Sequence, residues 1–364
     1  MLDAQDSVWM AQALRLAERG LYSTSPNPRV GCVLVRDGKL VGEGWHERAG
    51  EPHAEVHALR AAGEAARGAA AYVTLEPCSH HGRTPPCTDA LIQAGVARVV
   101  VAMQDPNPLV AGQGSANLRA AGIEVESGLM EAAAHELNIG FISRMTRGTP
   151  WLRSKIALSL DGRTALANGV SQWITGAAAR QDVQHWRARS CCVLTGIGTV
   201  LADDPQLNVR DVATSRQPQR AVIDSGLRLP PTARILGGGG VTVYSATDDV
   251  QKIALLERSG ARVAVLPDGT GRVDLHAVLR DLAAGGCNEV LVEAGSVLNG
   301  ALLQAGLVDE LVLYLAPALL GDGARGMAQL GELTELEQRV QLDWHDVRQV
   351  GKDLRIVARI RRVG

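Results

Sequence analysis

Three short runs hold the residues best suited to chemistry: His53-Ala54-Glu55, Glu76-Pro77-Cys78 and Pro86-Cys87. Two thiolates and one imidazole suit zinc, and three protein ligands leave a fourth tetrahedral position open for water, as in catalytic rather than structural zinc sites. Glu55 is then free of the metal. A carboxylate two residues from a metal-bound histidine can take a proton from an attacking water and return it to a leaving amine. The chemistry within reach of His53, Cys78, Cys87 and Glu55 is hydrolytic deamination.

These residues must converge. The segment from Glu55 to Ala62 has helix-forming composition, so His53 and Glu55 fall at a helix start, and Cys87 opens a second helical run through Ile92. Ala71 to Leu75 reads as a buried strand ahead of Cys78. One strand end and two helix starts therefore meet at a point. Any one of these residues alone would read as packing; the three runs together read as a site.

His53-Ala54-Glu55 with Pro77-Cys78 resembles the signature of zinc-dependent nucleobase deaminases, which continues P-C-x-x-C. Here the run from Ser79 to Pro86 separates the cysteines instead. That longer spacing, Pro77 to Cys87, is similar to the bifunctional pyrimidine deaminase/reductase family of riboflavin biosynthesis.

With 364 residues and 46% hydrophobic content, the chain has enough material for two cores. A net charge of -2 creates no strong field toward nucleic acid or membrane. Residues 1 to 146 carry 12 basic and 16 acidic side chains, which leaves 25 and 23 for the remainder, a mild basic excess compatible with an anionic ligand. Of six cysteines, Cys32, Cys191, Cys192 and Cys287 sit in apolar, strand-like surroundings and read as packing in a reducing compartment. The first residues are acidic rather than signal-like, and no apolar run reaches membrane-spanning length, so a cytoplasmic protein is expected.

Along the first half, Met10, Leu14, Ala17 and Leu21 recur at helical spacing, with Asp6 or Ser7 as candidate cap and Gly20 as the end. Asp37-Gly38 between two apolar runs predicts a hairpin through a type I′ turn. Val99 to Ala102 and Ile123 to Val125 read as further strands. By resemblance, Asn27, His46 and the loop containing Arg83 line the deaminase substrate pocket. Asn27 could meet a pyrimidine edge or simply make a turn between prolines; Arg83 could hold a phosphate or be a solvated loop charge.

A boundary is expected near Ser143 to Pro150, dividing the chain into 1-146 and 147-364. Beyond it, strands are predicted at 152-158, 191-195, 220-223, 241-245, 262-266, 289-292, 307-315 and 353-361, with helices at 176-189 and 273-284, a second α/β sheet. Gly237 to Gly240 reads as a flexible loop without the lysine of a phosphate loop. The turns after Thr195 and Glu293 could admit phosphates to helix starts, although neither matches a G-x-G-x-x-G fingerprint.

The segments Lys155 to Arg163, Ser171 to Thr175, Thr199 to Pro205 and the Glu293 turn resemble the reductase half of the same family. The resemblance implies an N-terminal cytidine-deaminase-like three-layer domain followed by a dihydrofolate-reductase-like α/β domain. It implies NADPH contacts at Ala157, Trp173, Thr199, Asp203, Gly295, Ser296, Val297, Leu298, Asn299, Gly300 and Ala301. Substrate contacts are implied at Ser171, Arg187, Leu207, Arg210 and Glu293, with Lys155 between the two ligands; on residues alone Arg187 would be an exposed helical charge. The implied reactions are deamination of a diaminopyrimidinone ribosyl phosphate and NADPH-dependent reduction of its ribosyl to a ribityl chain. The partner expected is that small phosphorylated substrate, with no nucleic acid or membrane, in a homo-oligomer.

Two other classes fit parts of this pattern. A nucleic-acid deaminase needs basic stripes and aromatic platforms, and 1 Phe, 4 Tyr and 6 Trp supply few. A zinc-stabilised binding module needs a fourth protein ligand, which His80 or His81 could offer.

Overall fold

In the computed structural model, residues 2-79 and 85-361 are described. Helix α1 (Ala4–Glu18) begins one turn earlier than periodicity predicts. Asp3 is its cap: the Asp3 carboxylate accepts from the Asp6 N–H, and Asp6 accepts from the Asp3 N–H, both at 2.9 Å. Periodicity detects the buried stripe, whereas a cap is an exposed side chain at the helix end.

Strands β1 (Gly31–Arg36) and β2 (Lys39–Trp45) form the predicted hairpin, with positive φ at both Asp37 and Gly38. Helix α2 (Ala54–Ala62), β3 (Ala70–Val73), α3 (Cys87–Ala94), β4 (Arg98–Val101), α4 (Gln113–Ala120), β5 (Glu124–Ser127), α5 (Glu131–Leu137) and α6 (Ile139–Arg147) follow. The sheet order is β2-β1-β3-β4-β5, antiparallel across β2, β1 and β3 and parallel from β3 to β5.

Glycines let helices lie directly on both faces of this sheet. A Cβ at Gly31 would stand 2.0 Å from the Ala13 carbonyl of α1. On the opposite face, a Cβ at Gly44 would meet the His57 Cβ at 2.5 Å and the Ala54 carbonyl at 2.7 Å. Since α2 begins beside His53, this close approach sets the height of the histidine over the sheet. Gly44→Ala is expected to push α2 outward and destabilise the fold by about 1–3 kcal/mol, with weaker zinc binding. Urea unfolding together with zinc titration checks this, and unchanged values in both would refute it.

The chain divides into Met1–Thr149 and Pro150–Gly364, just beyond the expected boundary, because α6 continues through Arg147 to a left-handed Gly148. The second unit comprises β6 (Trp151–Ser159), β7 (Arg163–Ala165), α7 (Ala177–Arg189), β8 (Cys192–Gly196), α8 (Ile197–Asp203), β9 (Gln219–Ile223), β10 (Val241–Ser245), α9 (Val250–Arg258), β11 (Ala261–Val265), α10 (Leu275–Ala284), β12 (Glu289–Val292), α11 (Ser296–Gln304), β13 (Glu310–Ala316), β14 (Arg325–Gly326), β15 (Leu342–Val350) and β16 (Asp353–Ile360). Its main sheet runs β11-β10-β9-β8-β12-β6-β13-β16-β15, parallel up to β13 and antiparallel beyond. Strands β8 and β12 are almost wholly buried, which is why they read as continuous apolar runs. Edge strand β15, largely exposed and polar, was not anticipated.

Arg153 crosses the centre of this sheet at 1% exposure. It is bonded to Glu289 and, at 2.6 Å, to Glu310, and Arg189 and Arg359 complete the network. A buried cation is tolerable only with such partners. The network ties β6, β12 and β13 together two residues before Lys155. Register then pairs Val292 with Ser154, which sets Lys155 level with Glu293.

Candidate active sites

In the first unit, His53 is the N-cap of α2 with extended backbone and does not cap the helix with its side chain, so its ring is free to turn to the cysteines. Cys87 is the first residue of α3. His53 Nδ1 lies 3.2 Å from Cys87 Sγ and 3.6 Å from Cys78 Sγ, and ligand atoms of all three fall within 4.8 Å of one another. Among the described residues this is the one group of three or more His, Cys, Asp or Glu side chains so placed. The Cys78 thiol is held below its usual pKa by the Cys87 thiol and by His53, while His53 is raised by its bond to Cys78. Such a donor set fits zinc, whose ligands are thiolate and imidazole.

The loop bearing Cys78 is held by Glu76, a buried carboxylate that had no role in the sequence reading. It accepts from the backbone N–H groups of Asp105 at 3.1 Å, Gly112 at 2.9 Å and Ser115 at 2.8 Å. A Cβ at Gly114 would strike the Pro77 carbonyl at 2.0 Å, so α4 packs directly behind the Pro-Cys turn. The signal available in the sequence was a glutamate directly before Pro-Cys.

Glu55 lies in the first turn of α2 at 3% exposure. Burial pushes its carboxyl above the ordinary range, against the pull of His53. A raised carboxyl suits a group that must both take and return a proton near neutrality.

His46 and Asn27 are brought together beside this cluster. The Pro52 carbonyl can only accept, so His46 Nδ1 carries the proton at 3.1 Å and Nε2 accepts from Asn27 Nδ2 at 3.1 Å. The His46 and His53 rings stand edge to face, 5.2 Å apart. Arg83, His80 and His81 lie outside the described residues.

In the second unit, contacts link Lys155, Arg187, Glu293 and the segment from Leu207 to Arg210 around the turn that follows β12. Arg187 is buried, unlike an exposed helical charge, and grips Glu293 through two bonds of 2.5 and 3.0 Å. Its remaining nitrogen Nη1 donates to the Asn208 carbonyl at 3.0 Å. Gln184, also on α7, accepts from the Arg210 N–H at 2.9 Å. The segment from Leu207 to Arg210 is thus tied to α7, with Leu207 buried at φ +51°.

Lys155 Nζ stands 3.9 Å from Glu293 Oε2. Burial pushes its ammonium below the usual lysine value, Glu293 opposes that, and Arg187 adds to it. For Glu293, burial raises the carboxyl but Arg187 and Lys155 bring it below the ordinary value. One carboxylate between two cations remains ionised.

The expected cofactor residues divide. Ala157 is half-buried and shares a face of β6 with Lys155. Gln172 reaches Asp203 at 3.4 Å, joining the Ser171–Trp173 loop to α8, which carries Thr199; Trp173 is 69% exposed under the Arg180 guanidinium. Gly295 caps α11, and Gly196, the cap of α8, packs on Leu298, so two helix starts lie side by side. Their free N–H groups suit phosphate. A cavity of about 330 Å³ adjoins Ser296 and Val297.

Farther along α11 the side chains turn inward. Asn299, 1% exposed, accepts from Ser154 Oγ and donates to the Ala294 and Met327 carbonyls. Gly300 faces the Gln329 backbone, where a Cβ would come within 2.1 Å. The Asn299 side chain and the Gly300 Cα are thus taken up by packing within the unit.

None of the six cysteines is in a disulfide, and among the described residues no helix is long and apolar enough to cross a membrane.

Residues 3–103 match the cytidine and deoxycytidylate deaminase zinc-binding region, and residues 150–356 match the RibD C-terminal domain. The riboflavin biosynthesis protein RibD of Escherichia coli is 54% identical, over 96% of this chain and 98% of that protein. That of Aquifex aeolicus is 41% identical over 97% and 98%. Among solved structures, Acinetobacter baumannii RibD superposes with TM-score 0.92 at 50% identity, covering 98% of this chain and 99% of that one. A Thermotoga maritima protein described as a diaminohydroxyphosphoribosylaminopyrimidine deaminase and 5-amino-6-(5-phosphoribosylamino)uracil reductase gives 0.87 at 32% identity, with the same coverage.

Proposed function

This chain belongs to the RibD family, the bifunctional deaminase and reductase of riboflavin biosynthesis, and from that premise we propose how its residues divide the work. The unit Met1–Thr149 deaminates 2,5-diamino-6-(5-phosphoribosylamino)pyrimidin-4-one. The unit Pro150–Gly364 reduces the ribosyl group to ribityl. The observation that carries this reading is the His53, Cys78 and Cys87 cluster with buried Glu55 two residues beyond His53, in the first turn of α2.

His53, Cys78 and Cys87 would hold zinc, which when bound makes water a nucleophile near neutral pH. Glu55 takes the proton of the attacking water and gives it to the departing amine. His46, fixed as the Nδ1–H tautomer by Pro52, holds the Asn27 amide with its carbonyl oxygen free toward a pyrimidine amino group. Arg83 would serve the substrate phosphate.

In the reductase unit, NADPH supplies hydride when bound, with the starts of α8 and α11 suited to its phosphates and Trp173 and Ala157 to its nicotinamide end. Glu293, held by Arg187, fixes Lys155, and the depressed ammonium is suited to give a proton to the sugar ring oxygen as the ring opens. Ser171 and Arg210 would hold the phosphate of the deaminated intermediate. Lys155→Met is expected to lower reduction about a hundredfold or more while ammonia release stays at the wild-type rate. Parallel assays of the two steps decide it; wild-type reduction would remove Lys155 from the mechanism.

Free cysteines support a cytoplasmic enzyme, and edge strand β15, with Trp344 67% and Val347 56% exposed, supports self-association. The whole reading is tested by supplying the diaminopyrimidinone ribosyl phosphate and following ammonia and cofactor separately. Ammonia should appear without any nicotinamide cofactor, and NADPH should be consumed in preference to NADH only after deamination. Cofactor consumption with undeaminated substrate, or no ammonia at all, would overturn it.

A further inference from the structure

Set back from the rim that carries Gly196 and Glu293 is a second concavity, of about 470 Å³. Arg220, Arg234, Gln206, Asn208 and the loop Gly237 to Gly240 line it, and no carboxylate is among the lining side chains. Strand register aligns Arg220 with Val193 and Val193 with Leu291, so the cavity begins about 7–10 Å before the strand ends.

Arg220 is the unusual member. It is 6% exposed, and its guanidinium donates to the Gly237 carbonyl at 2.7 Å and to the Gly239 carbonyl. No carboxylate pairs with it among the described residues, in contrast to Arg153 and Arg187. Burial accordingly depresses its pKa with nothing offsetting it. Arg234, an exposed residue, also lines the cavity, and its side chain has no carboxylate partner among the described residues; its backbone N–H donates to Asp204 at 2.8 Å and its carbonyl accepts from Gly237 at 3.1 Å. Two uncompensated cations on a cavity free of acids make an anion site.

Asn208 adds a second requirement. Its Oδ1 is buried without a hydrogen-bond partner, and an unmet acceptor is costly. An anion cannot satisfy it, but a hydroxyl can. Gln217 is excluded as a ligand because both its amide atoms are bonded to the Val209 backbone.

We propose that this cavity binds a small hydroxylated phosphate monoester, a sugar or polyol phosphate, with Arg220 and Arg234 on the phosphate and Asn208 Oδ1 accepting a ligand hydroxyl. Arg187, Arg210 and Glu293 of the assigned reductase substrate site are not among its lining residues, although Arg187 donates to the Asn208 carbonyl from the other side.

Equilibrium dialysis of the full-length protein against labelled glycerol 3-phosphate and, separately, inorganic phosphate tests this. Glycerol 3-phosphate should bind more tightly than phosphate. Arg234→Gln should weaken it about tenfold or more, Arg220→Gln should abolish it, and both should keep wild-type rates of ammonia release and NADPH oxidation. Arg210→Gln should leave this binding intact. Unchanged binding in Arg234→Gln, an exposed position that tolerates substitution even if Arg220→Gln fails to fold, overturns the proposal and leaves Arg220 as a support for the glycine loop. Loss of binding in Arg210→Gln also overturns it, by placing the ligand in the reductase site. Equal affinity for phosphate and its ester removes the hydroxyl assignment.

Discussion

Glu55→Gln is expected to cut ammonia release by roughly a thousandfold or more while leaving zinc content and fold unchanged. Glutamine keeps the volume and most of the hydrogen-bonding reach of a side chain that is only 3% exposed, so the surrounding packing has no reason to move. It lacks the capacity to accept a proton and hand it back. The loss should therefore appear in turnover more than in substrate binding. Supplied with already deaminated intermediate, the variant should oxidise NADPH at the wild-type rate, because Lys155, Arg187 and Glu293 belong to the other unit. Normal deamination in the variant would dismiss Glu55 as the proton carrier, and failure with the deaminated intermediate would dismiss the division of labour.

Cys87→Ser should remove both the metal and the first reaction. Serine is nearly isosteric, but its hydroxyl does not ionise near neutrality and is a hard ligand in a site built from thiolate and imidazole. The residue opens α3, where Thr88 Oγ1 also donates to the Cys78 carbonyl at 3.3 Å, so the helix start has an anchor besides the thiol. Metal analysis should fall from one zinc per chain to a small fraction of that, with ammonia release lost in proportion and reduction of deaminated intermediate unaffected. Stoichiometric zinc in both Cys87→Ser and Cys78→Ser would show that the metal, if bound, is held elsewhere.

What could be read from the amino-acid order was chemistry carried by residue type and short spacing. Histidine followed two residues later by glutamate, and cysteines after prolines, mean much the same in any fold, since coordination and proton transfer depend on those atoms. Strands whose two faces are buried, such as β8 and β12, were equally legible, because an unbroken apolar run has few other uses. The hairpin at Asp37-Gly38 declared itself through the one turn that requires two left-handed residues.

Pairings between distant residues were decided by the tertiary structure. Nothing local distinguishes Arg187 from a surface helical charge; its burial against Glu293 follows from how α7 lies over β12. Lys155 meets the same carboxylate because β6 and β12 pair in one register, and a shift of one residue would turn it to the other face. Strand β15 escaped notice because an edge strand with exposed faces needs no apolar alternation. Asn299 and Gly300 stand in the same run as Gly295, but a helix turns successive side chains by about 100°, so their side-chain directions differ in a way no local pattern reveals. Side-chain type and period are properties of the chain; the partner of a charge is a property of the packing, because only the fold brings its counter-ion within reach.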